Sequence, residues 1–212
     1  MTKRYLTSLA LTALFTFAGS AQAQSIRLAV GPESKLWIEG GSNLHDWSCK
    51  ATSIDAVINV DEAFLKSPNA SPTLLKTVEV KVPVRSLKCG HGGMDNNLYK
   101  ALKAGDSPDI SYVMGTFEVI AGATSDSFTV KTVGALKIAG TEKPLTMDVV
   151  ASRLADGSVR AEGALPLLMT DFGITPPTAL LGTLRTDNKI TVKFSLLVGP
   201  QALTAALGGG PR

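Results

Sequence analysis

Apolar and polar residues alternate along much of this chain. In VEVKVPV, residues 78–84, four valines fall on one face, and Glu79, Lys81 and Pro83 fall on the other. Strict alternation of this kind predicts antiparallel strands that bury one face and expose the other. The same period of two recurs in residues 54–61, 128–138 and 190–198.

Further strands are predicted from four segments with a less regular pattern, residues 36–39, 112–120, 145–153 and 159–169. Turn sequences such as Ala-Gly-Thr at residues 139–141 separate several of them. Together, the segments predict about eight or nine strands and little helix. A sheet of this length with one apolar face has to close on itself or split into two layers, so the pattern predicts an all-β barrel or sandwich.

One helix is predicted near the middle of the chain, in MDNNLYKALKAGDSP, residues 94–108. Leu98 and Leu102 are spaced to share one helical face. Asp95 is a suitable N-cap, and Gly105 comes just after the expected end. The helix would therefore be an insertion between two strands.

The interior of the predicted barrel contains few aromatic side chains, because only 6% of the residues are aromatic. The inward positions are mostly Val, Ile, Leu, Ala and Gly. Eight-stranded barrels lie at the boundary between a filled interior and a cavity for one small ligand. Composition alone leaves both an open apolar cavity and a packed core as alternatives.

The N-terminal residues 1–23 have the pattern of a cleaved secretory signal peptide. Lys3 and Arg4 precede an apolar run, which is followed by the small-residue sequence Ala-Gln-Ala. The alternative, a membrane anchor, is less favoured because the run is shorter than the ~20 residues that a span needs. We therefore predict a periplasmic or secreted protein with its domain at residues 24–198 and a flexible tail at residues 199–212.

Two classes of function find no support in the sequence. The net charge is +3, and removal of the signal peptide would lower it to +1, so no basic footprint for nucleic acid remains. The chain contains no G-x-S-x-G, H-E-x-x-H or C-x-x-C-H motif. We therefore predict neither nucleic-acid binding nor enzymatic activity, and no catalytic residue is assigned.

The chain has two histidines and two cysteines, which lie close together in LHDWSCK (44–50) and KCGHGG (88–93). A Cys2His2 metal site is one interpretation, but its spacing matches no common zinc motif. If the first pair lies on a strand, residues four apart are ~13 Å apart, too far to share a metal. In an exported protein, the simpler prediction is a disulfide between Cys49 and Cys89, with two buried free thiols as the alternative.

Four segments in order along the chain carry a family resemblance: GSNLHDWSCKA (41–51), residues 94–112, GALKIAGTEKPLTMDV (134–149) and MTDFGI (169–174). Together they resemble the YceI-like family over most of residues 35–198. The resemblance implies an extended eight-stranded antiparallel lipocalin-like β-barrel with a short helix and loops near its ends. Many members of the family have a simple polar loop at this point, whereas residues 89–93 here read CGHGG. The loop and helix are therefore expected to be held in a fixed position in this protein.

The same resemblance implies a function: non-enzymatic binding and transport of a polyisoprenoid or similar long amphiphile, such as a quinone-type lipid, inside the barrel. No other cofactor is implied, and transient membrane contact and homodimerisation through the outer wall are compatible with it. Alternatives are an envelope-stress or structural protein with a filled barrel and a protein partner, and a metal- or haem-associated redox enzyme. The inward positions give these candidate lining residues: Val80, Val82, Phe117, Phe128, Val130, Leu136, Phe172, Ile190, Val192 and Phe194.

Overall fold

A closed antiparallel β-barrel contains most of residues 25–63 and 74–200, the parts of the chain described by this computed structural model. An α-helix, α1 (Gly92–Ala101), lies between two of its strands. The strands are β1 (Ser25–Val30), β2 (Lys35–Ser42), β3 (Trp47–Ala51), β4 (Asp55–Asp61), β5 (Leu75–Pro83), β6 (Leu87–Lys88), β7 (Asp109–Ala121), β8 (Ser127–Ile138), β9 (Thr141–Arg153), β10 (Val159–Leu168), β11 (Thr178–Ala179) and β12 (Leu184–Pro200).

The barrel has eight strand positions, because three of them are each built from two consecutive strands. β1 and β2 both pair with β12, through Val30↔Val198 and Lys35↔Ser195. β3 and β4 form the next position, and β5 and β6 the one after. β7, β8, β9 and β10 follow, and β10 pairs with β12 to close the circuit. The structure thus confirms the predicted eight-stranded antiparallel lipocalin-like barrel.

The alternation that predicted the strands separates the barrel's interior from its outer wall. On β8, Phe128, Val130 and Thr132 are buried, whereas the intervening Lys131 is exposed. β7 departs from the rule because a bulge shifts its register between Met114 and Thr116. A bulge adds one residue to one strand and so moves the inward set from even to odd numbers. This explains the irregular pattern that the sequence shows there.

The N-terminal cap of the helix lies four residues earlier than predicted. His91, rather than Asp95, is the N-cap, and its imidazole Nδ1 accepts a hydrogen bond from the Gly93 amide at 3.2 Å. Asp95 lies in the first turn, where its carboxylate accepts a hydrogen bond from the Cys89 amide at 2.7 Å. Aspartate is favoured both at the N-cap and in the first turn of a helix, so the sequence alone did not distinguish the two positions for Asp95. The helix ends at Ala101, so Gly105 lies four residues beyond the end rather than just past it as predicted.

The connections between strands divide the barrel into two ends. α1, the loop 43–46 and the segment 169–183 lie at one end, which we call the α1 end. The turns 122–126 and 154–158 lie at the opposite end, which we call the turn end. β12 runs to Pro200, two residues beyond the predicted end of the domain.

Two predicted segments cannot be compared with the structure. The predicted signal peptide, residues 1–23, and residues 201–212 of the predicted tail lie outside the described residues. In the described parts of the chain, no helix combines the length and the apolar character needed to span a bilayer.

Candidate functional site: an apolar cavity in the barrel

The barrel encloses a cavity of about 350 Å³. Inward side chains from all eight strand positions form its wall, together with residues of α1 and of the segment 169–178. Among the described residues that line it there is no Asp, Glu, Lys or Arg. Pockets for small molecules in proteins are typically concave and largely apolar. The cavity also argues against the filled-barrel alternative.

The cavity opens at the α1 end. Four of its lining residues are exposed to solvent: His45, Asn97, Leu168 and Thr178. All four lie at that end, either in a loop, in α1 or at the end of a strand. Towards the turn end, the lining residues Ala151, Val159 and Val198 are buried. Among the described residues, the cavity is therefore a blind pocket, open at the α1 end and closed at the turn end.

The structure places eight of the ten predicted lining residues on the cavity wall. These are Val80, Val82, Val130, Leu136, Phe172, Ile190, Val192 and Phe194. Contact of any of them with a ligand stays a prediction.

Phe117 and Phe128 are not among the lining residues. Phe117 follows the β7 bulge and packs, partly buried, against the core. Phe128 is 2% exposed and lies near the turn end of β8, where it packs in the core below the cavity. Alternation indicates which face a residue occupies, but it does not indicate the height at which the residue lies in the barrel.

Sequence reasoning missed much of the wall contributed by β9 and β10. There the inward residues are Leu145, Met147, Val149, Ala151, Val159, Ala161, Leu165 and Leu167. Their odd numbers show the same period of two, interrupted by prolines and by pairs of adjacent apolar residues. The lining residues from α1, Met94, Asn97, Leu98 and Ala101, carry no such signal, because their approach to the cavity depends on the tertiary fold.

Two glycines leave space for large side chains in the wall. A Cβ on Gly163 would lie 2.5 Å from Cζ of Phe194, its cross-strand neighbour. A Cβ on Gly134 would lie 2.7 Å from the Tyr112 hydroxyl. Both positions therefore require glycine so that the rings can lie against the sheet.

The deepest polar groups in the wall form a hydrogen-bonded pair. The Tyr112 hydroxyl donates to Thr132 Oγ1 at 2.9 Å, and Thr132 Oγ1 donates to the Met147 carbonyl at 3.3 Å. Both donors are thus satisfied within the wall. Burial raises the pKa of Tyr112 above its usual value, and the hydrogen bond with Thr132 opposes this only in part. The pair keeps the interior uncharged.

We expect Tyr112→Phe to flatten the alkaline loss of stability. In the unfolded chain the phenol ionises near pH 10, whereas in the folded barrel its pKa is raised, so the folded state retains a proton that the unfolded state loses. The free energy of unfolding should fall as pH rises above 10, by up to about 1.4 kcal/mol per pH unit from this group. Urea unfolding at pH 8 to 11 would measure it. Equal slopes in the two proteins would contradict the assignment.

The four histidines and cysteines have separate roles in the structure. Cys49 and Cys89 form a disulfide bond, as predicted, and both residues line the cavity. His91 caps α1, and His45 lies on the loop at the mouth. Because both sulfurs are in the disulfide, they are not available as thiolate ligands for the alternative Cys2His2 site. Across residues 25–63 and 74–200, no three His, Cys, Asp or Glu side chains group as a metal site.

Several contacts hold α1 at the mouth. The disulfide joins β3 to the segment just before the helix. The Lys88 ammonium donates to the Tyr99 hydroxyl at 2.7 Å, and this hydroxyl lies 2.8 Å from the Leu87 carbonyl, to which it donates. Asp95 bonds the Cys89 amide, as described above, and its other carboxylate oxygen lies 3.8 Å from the Lys88 ammonium. These contacts attach the helix to β6 and, through the disulfide, to β3.

Two exposed leucines stand on the loops around the mouth, and we call them the rim leucines. Leu44 is 70% exposed, and Leu181 is fully exposed in a left-handed backbone conformation with φ of 57°. Asn43 connects the two loops that carry these leucines through hydrogen bonds. Its side chain donates to the Thr183 carbonyl at 2.8 Å and accepts from the Arg185 amide at 2.9 Å. The rim leucines thus belong to one connected edge of the barrel.

Comparison with known structures shows the same fold in three proteins. BcnA of Burkholderia cenocepacia is 16% identical, with a TM-score of 0.60, over 78% of this chain and 96% of that chain. A polyisoprenoid binding domain from Saccharophagus degradans, implicated in plant cell wall breakdown, is 10% identical, with a TM-score of 0.62, over 82% and 99%. The YCEI protein of Campylobacter jejuni is 16% identical, with a TM-score of 0.53, over 94% and 99%.

Sequence comparison identifies the family. Among curated protein sequences, none matches this chain at a significant level. The family model of the YceI-like domain matches residues 38–198, which covers most of the barrel and confirms the resemblance seen in the sequence. The chain therefore belongs to the YceI-like family.

Proposed function

We propose that the protein binds a polyisoprenoid or similar long-chain amphiphile in the barrel and carries it outside the cytoplasm, without catalysing a reaction. The observation that carries the proposal is the blind cavity of about 350 Å³, whose described lining residues include no Asp, Glu, Lys or Arg. Membership of the YceI-like family supports it. So does the fold shared with the Saccharophagus degradans domain, which is described as polyisoprenoid binding.

The driving force for such binding would be burial of the apolar tail. Each Å² of apolar surface removed from water contributes about 25 cal/mol, against the cost of losing translational and conformational freedom. A cavity without charged side chains has no ionic hydration to lose when the tail enters. The outer wall remains hydrated, since polar side chains such as Glu118 on β7 and Lys131 on β8 are exposed.

The disulfide supports a location outside the cytoplasm. Structural disulfides persist in oxidising compartments and are rare where glutathione keeps thiols reduced. The bond between Cys49 and Cys89 therefore agrees with the signal peptide predicted at residues 1–23. N-terminal sequencing of the exported protein would test cleavage after Ala23.

Solvent extraction tests the binding proposal. Protein purified without detergent should release a long-chain apolar molecule, detected by mass spectrometry, in near-stoichiometric amount. After delipidation, the protein should take up an added isoprenoid of about 20 carbons. Failure of both extraction and loading would remove the proposal.

We also expect the rim leucines to bring the mouth to a lipid surface. Exposed leucines on loops beside a cavity mouth can enter the interface of a bilayer, which favours buried apolar area. Replacing Leu44 and Leu181 together with Ser should slow transfer of a fluorescent isoprenoid to phosphatidylcholine vesicles by about tenfold, through the loss of about 1–2 kcal/mol of apolar contact. Affinity for the isoprenoid in solution should not change.

The outer wall offers a matched control for the rim. Val133 and Val150 are 47% and 53% exposed on β8 and β9, away from the mouth. Replacing both with Ser removes a similar apolar surface and should leave the transfer rate as in the wild type. Equal slowing by both pairs would show that the rim has no special role.

Homodimerisation through this wall stays a prediction, which analytical ultracentrifugation would test.

A further inference from the structure

The polar residues of the cavity wall are concentrated at the mouth. Apart from the Tyr112–Thr132 pair, five polar side chains line the cavity, and all five lie at the α1 end: Ser42, His45, Asn97, Thr178 and Thr186. Ser42 and Thr186 face each other across β2 and β12. An amphiphile with its tail in the barrel would place its polar end among them.

Four of these side chains are free to bind a ligand. The Ser42 hydroxyl is engaged, since it donates to the His45 carbonyl at 2.7 Å and accepts from the His45 amide at 3.1 Å. The imidazole of His45, the amide of Asn97 and the hydroxyls of Thr178 and Thr186 have no hydrogen-bond partner among the residues that the structure describes. Imidazole, amide and hydroxyl groups each both donate and accept hydrogen bonds.

The charge around the mouth does not favour an anion. A phosphate or carboxylate that leaves water needs a cation or several converging donors, and bidentate arginine is the usual solution. No Lys or Arg is found among the described lining residues. Asp46, Asp171, Arg185 and Asp187 lie on loops and strand ends at the α1 end, and none of them lines the cavity.

We infer that the bound amphiphile has an uncharged polar end, which is held by His45, Asn97, Thr178 and Thr186. This inference rests on the proposed function. The chemical class of this polar end is a hydroxyl, a phenol or a quinone carbonyl. Long-chain phosphates and carboxylates with the same tail are poor ligands, because the mouth offers hydrogen bonds and no counter-charge. The cavity thus selects among isoprenoids by the charge of their ends as well as by their tails.

The first test compares three ligands that share one C20 tail. Delipidated protein is titrated with geranylgeraniol, geranylgeranyl monophosphate and geranylgeranoic acid at low salt, and binding is followed by the fluorescence of Trp47, which lines the cavity. The alcohol should bind at least about tenfold tighter than either anion. Equal or tighter binding of an anion overturns this inference and leaves the proposed function standing. Binding of none of the three contradicts both.

The second test locates the polar end. Asn97→Ala and His45→Ala should each weaken geranylgeraniol binding by about threefold to tenfold, the usual effect of one hydrogen bond. Binding of a hydrocarbon with the same chain should not change. Asn96→Ala is the matched control, because Asn96 is exposed on the same helix and does not line the cavity. If Asn97→Ala and Asn96→Ala bind the alcohol equally well, the mouth does not hold the polar end.

Discussion

Ala161→Phe is expected to reduce lipid loading strongly while the barrel remains folded. Ala161 lies on β10 between Ala151 of β9 and Leu196 of β12, and all three line the cavity. A phenyl ring at this position would occupy the blind part of the pocket, so an incoming tail would lose the apolar contacts that bind it. The loss of 1.4 kcal/mol or more lowers affinity at least about tenfold. Extraction with mass spectrometry and titration with geranylgeraniol would measure it.

Ala164→Phe provides the control for this change. Ala164 lies on the same strand, three residues further on, but it is exposed on the outer wall opposite Lys193. The same atoms are added there without entering the cavity, so loading should match the wild type. Thermal unfolding of both variants would separate blocked binding from misfolding. Normal loading of a folded Ala161→Phe protein would show that the ligand does not occupy the barrel.

Removal of the disulfide should have the largest effect on stability. Replacing Cys49 and Cys89 together with Ala releases a loop closed over a sequence separation of 40 residues. In the chain-entropy model, this lowers the free energy of unfolding by about 3–4 kcal/mol. Since Cys49 is 1% exposed, the lost packing adds to this effect. Urea unfolding without reductant would measure the difference, with the m-value fitted separately for each protein because the cross-link compacts the unfolded chain.

Reductant supplies the matched comparison. Dithiothreitol should destabilise the wild-type protein to nearly the level of the double variant and should leave the double variant unchanged. Hydrogen exchange should also accelerate in α1 before the β8–β9 hairpin, because the disulfide fixes the segment that precedes the helix. A double variant within 1 kcal/mol of the wild type would show that the cross-link contributes little to the fold.

The barrel could be predicted from the sequence because its signal is local and repeated. In residues 78–84 and 190–198, every second residue is apolar, and a one-residue slip would turn all of them outward. The pattern failed where the backbone departs from regular pairing. At Gly115, one extra residue moves the inward set of β7 from Tyr112 and Met114 to Phe117, which faces the core but does not line the cavity.

The cavity and its mouth were harder to predict, because they depend on distances between elements that are remote in sequence. Phe128 and Val130 share one face of β8, yet only Val130 reaches the cavity. Asn97 and Thr186 come together at the mouth only through barrel closure. The disulfide could be predicted, since two cysteines in a chain expected to be exported leave one pairing.

The last strand determines when this chain can become a barrel. β12 pairs with β10 along Val159–Leu168 on one side and with β1 and β2 on the other, so the pairings that complete the barrel join residues more than 140 apart in sequence. Contacts of such long range slow folding, because the intervening chain must first be ordered. During synthesis, the ring therefore stays open until the final strand has left the ribosome. Under the export proposed above, the chain would therefore remain unfolded and competent for translocation for most of that time.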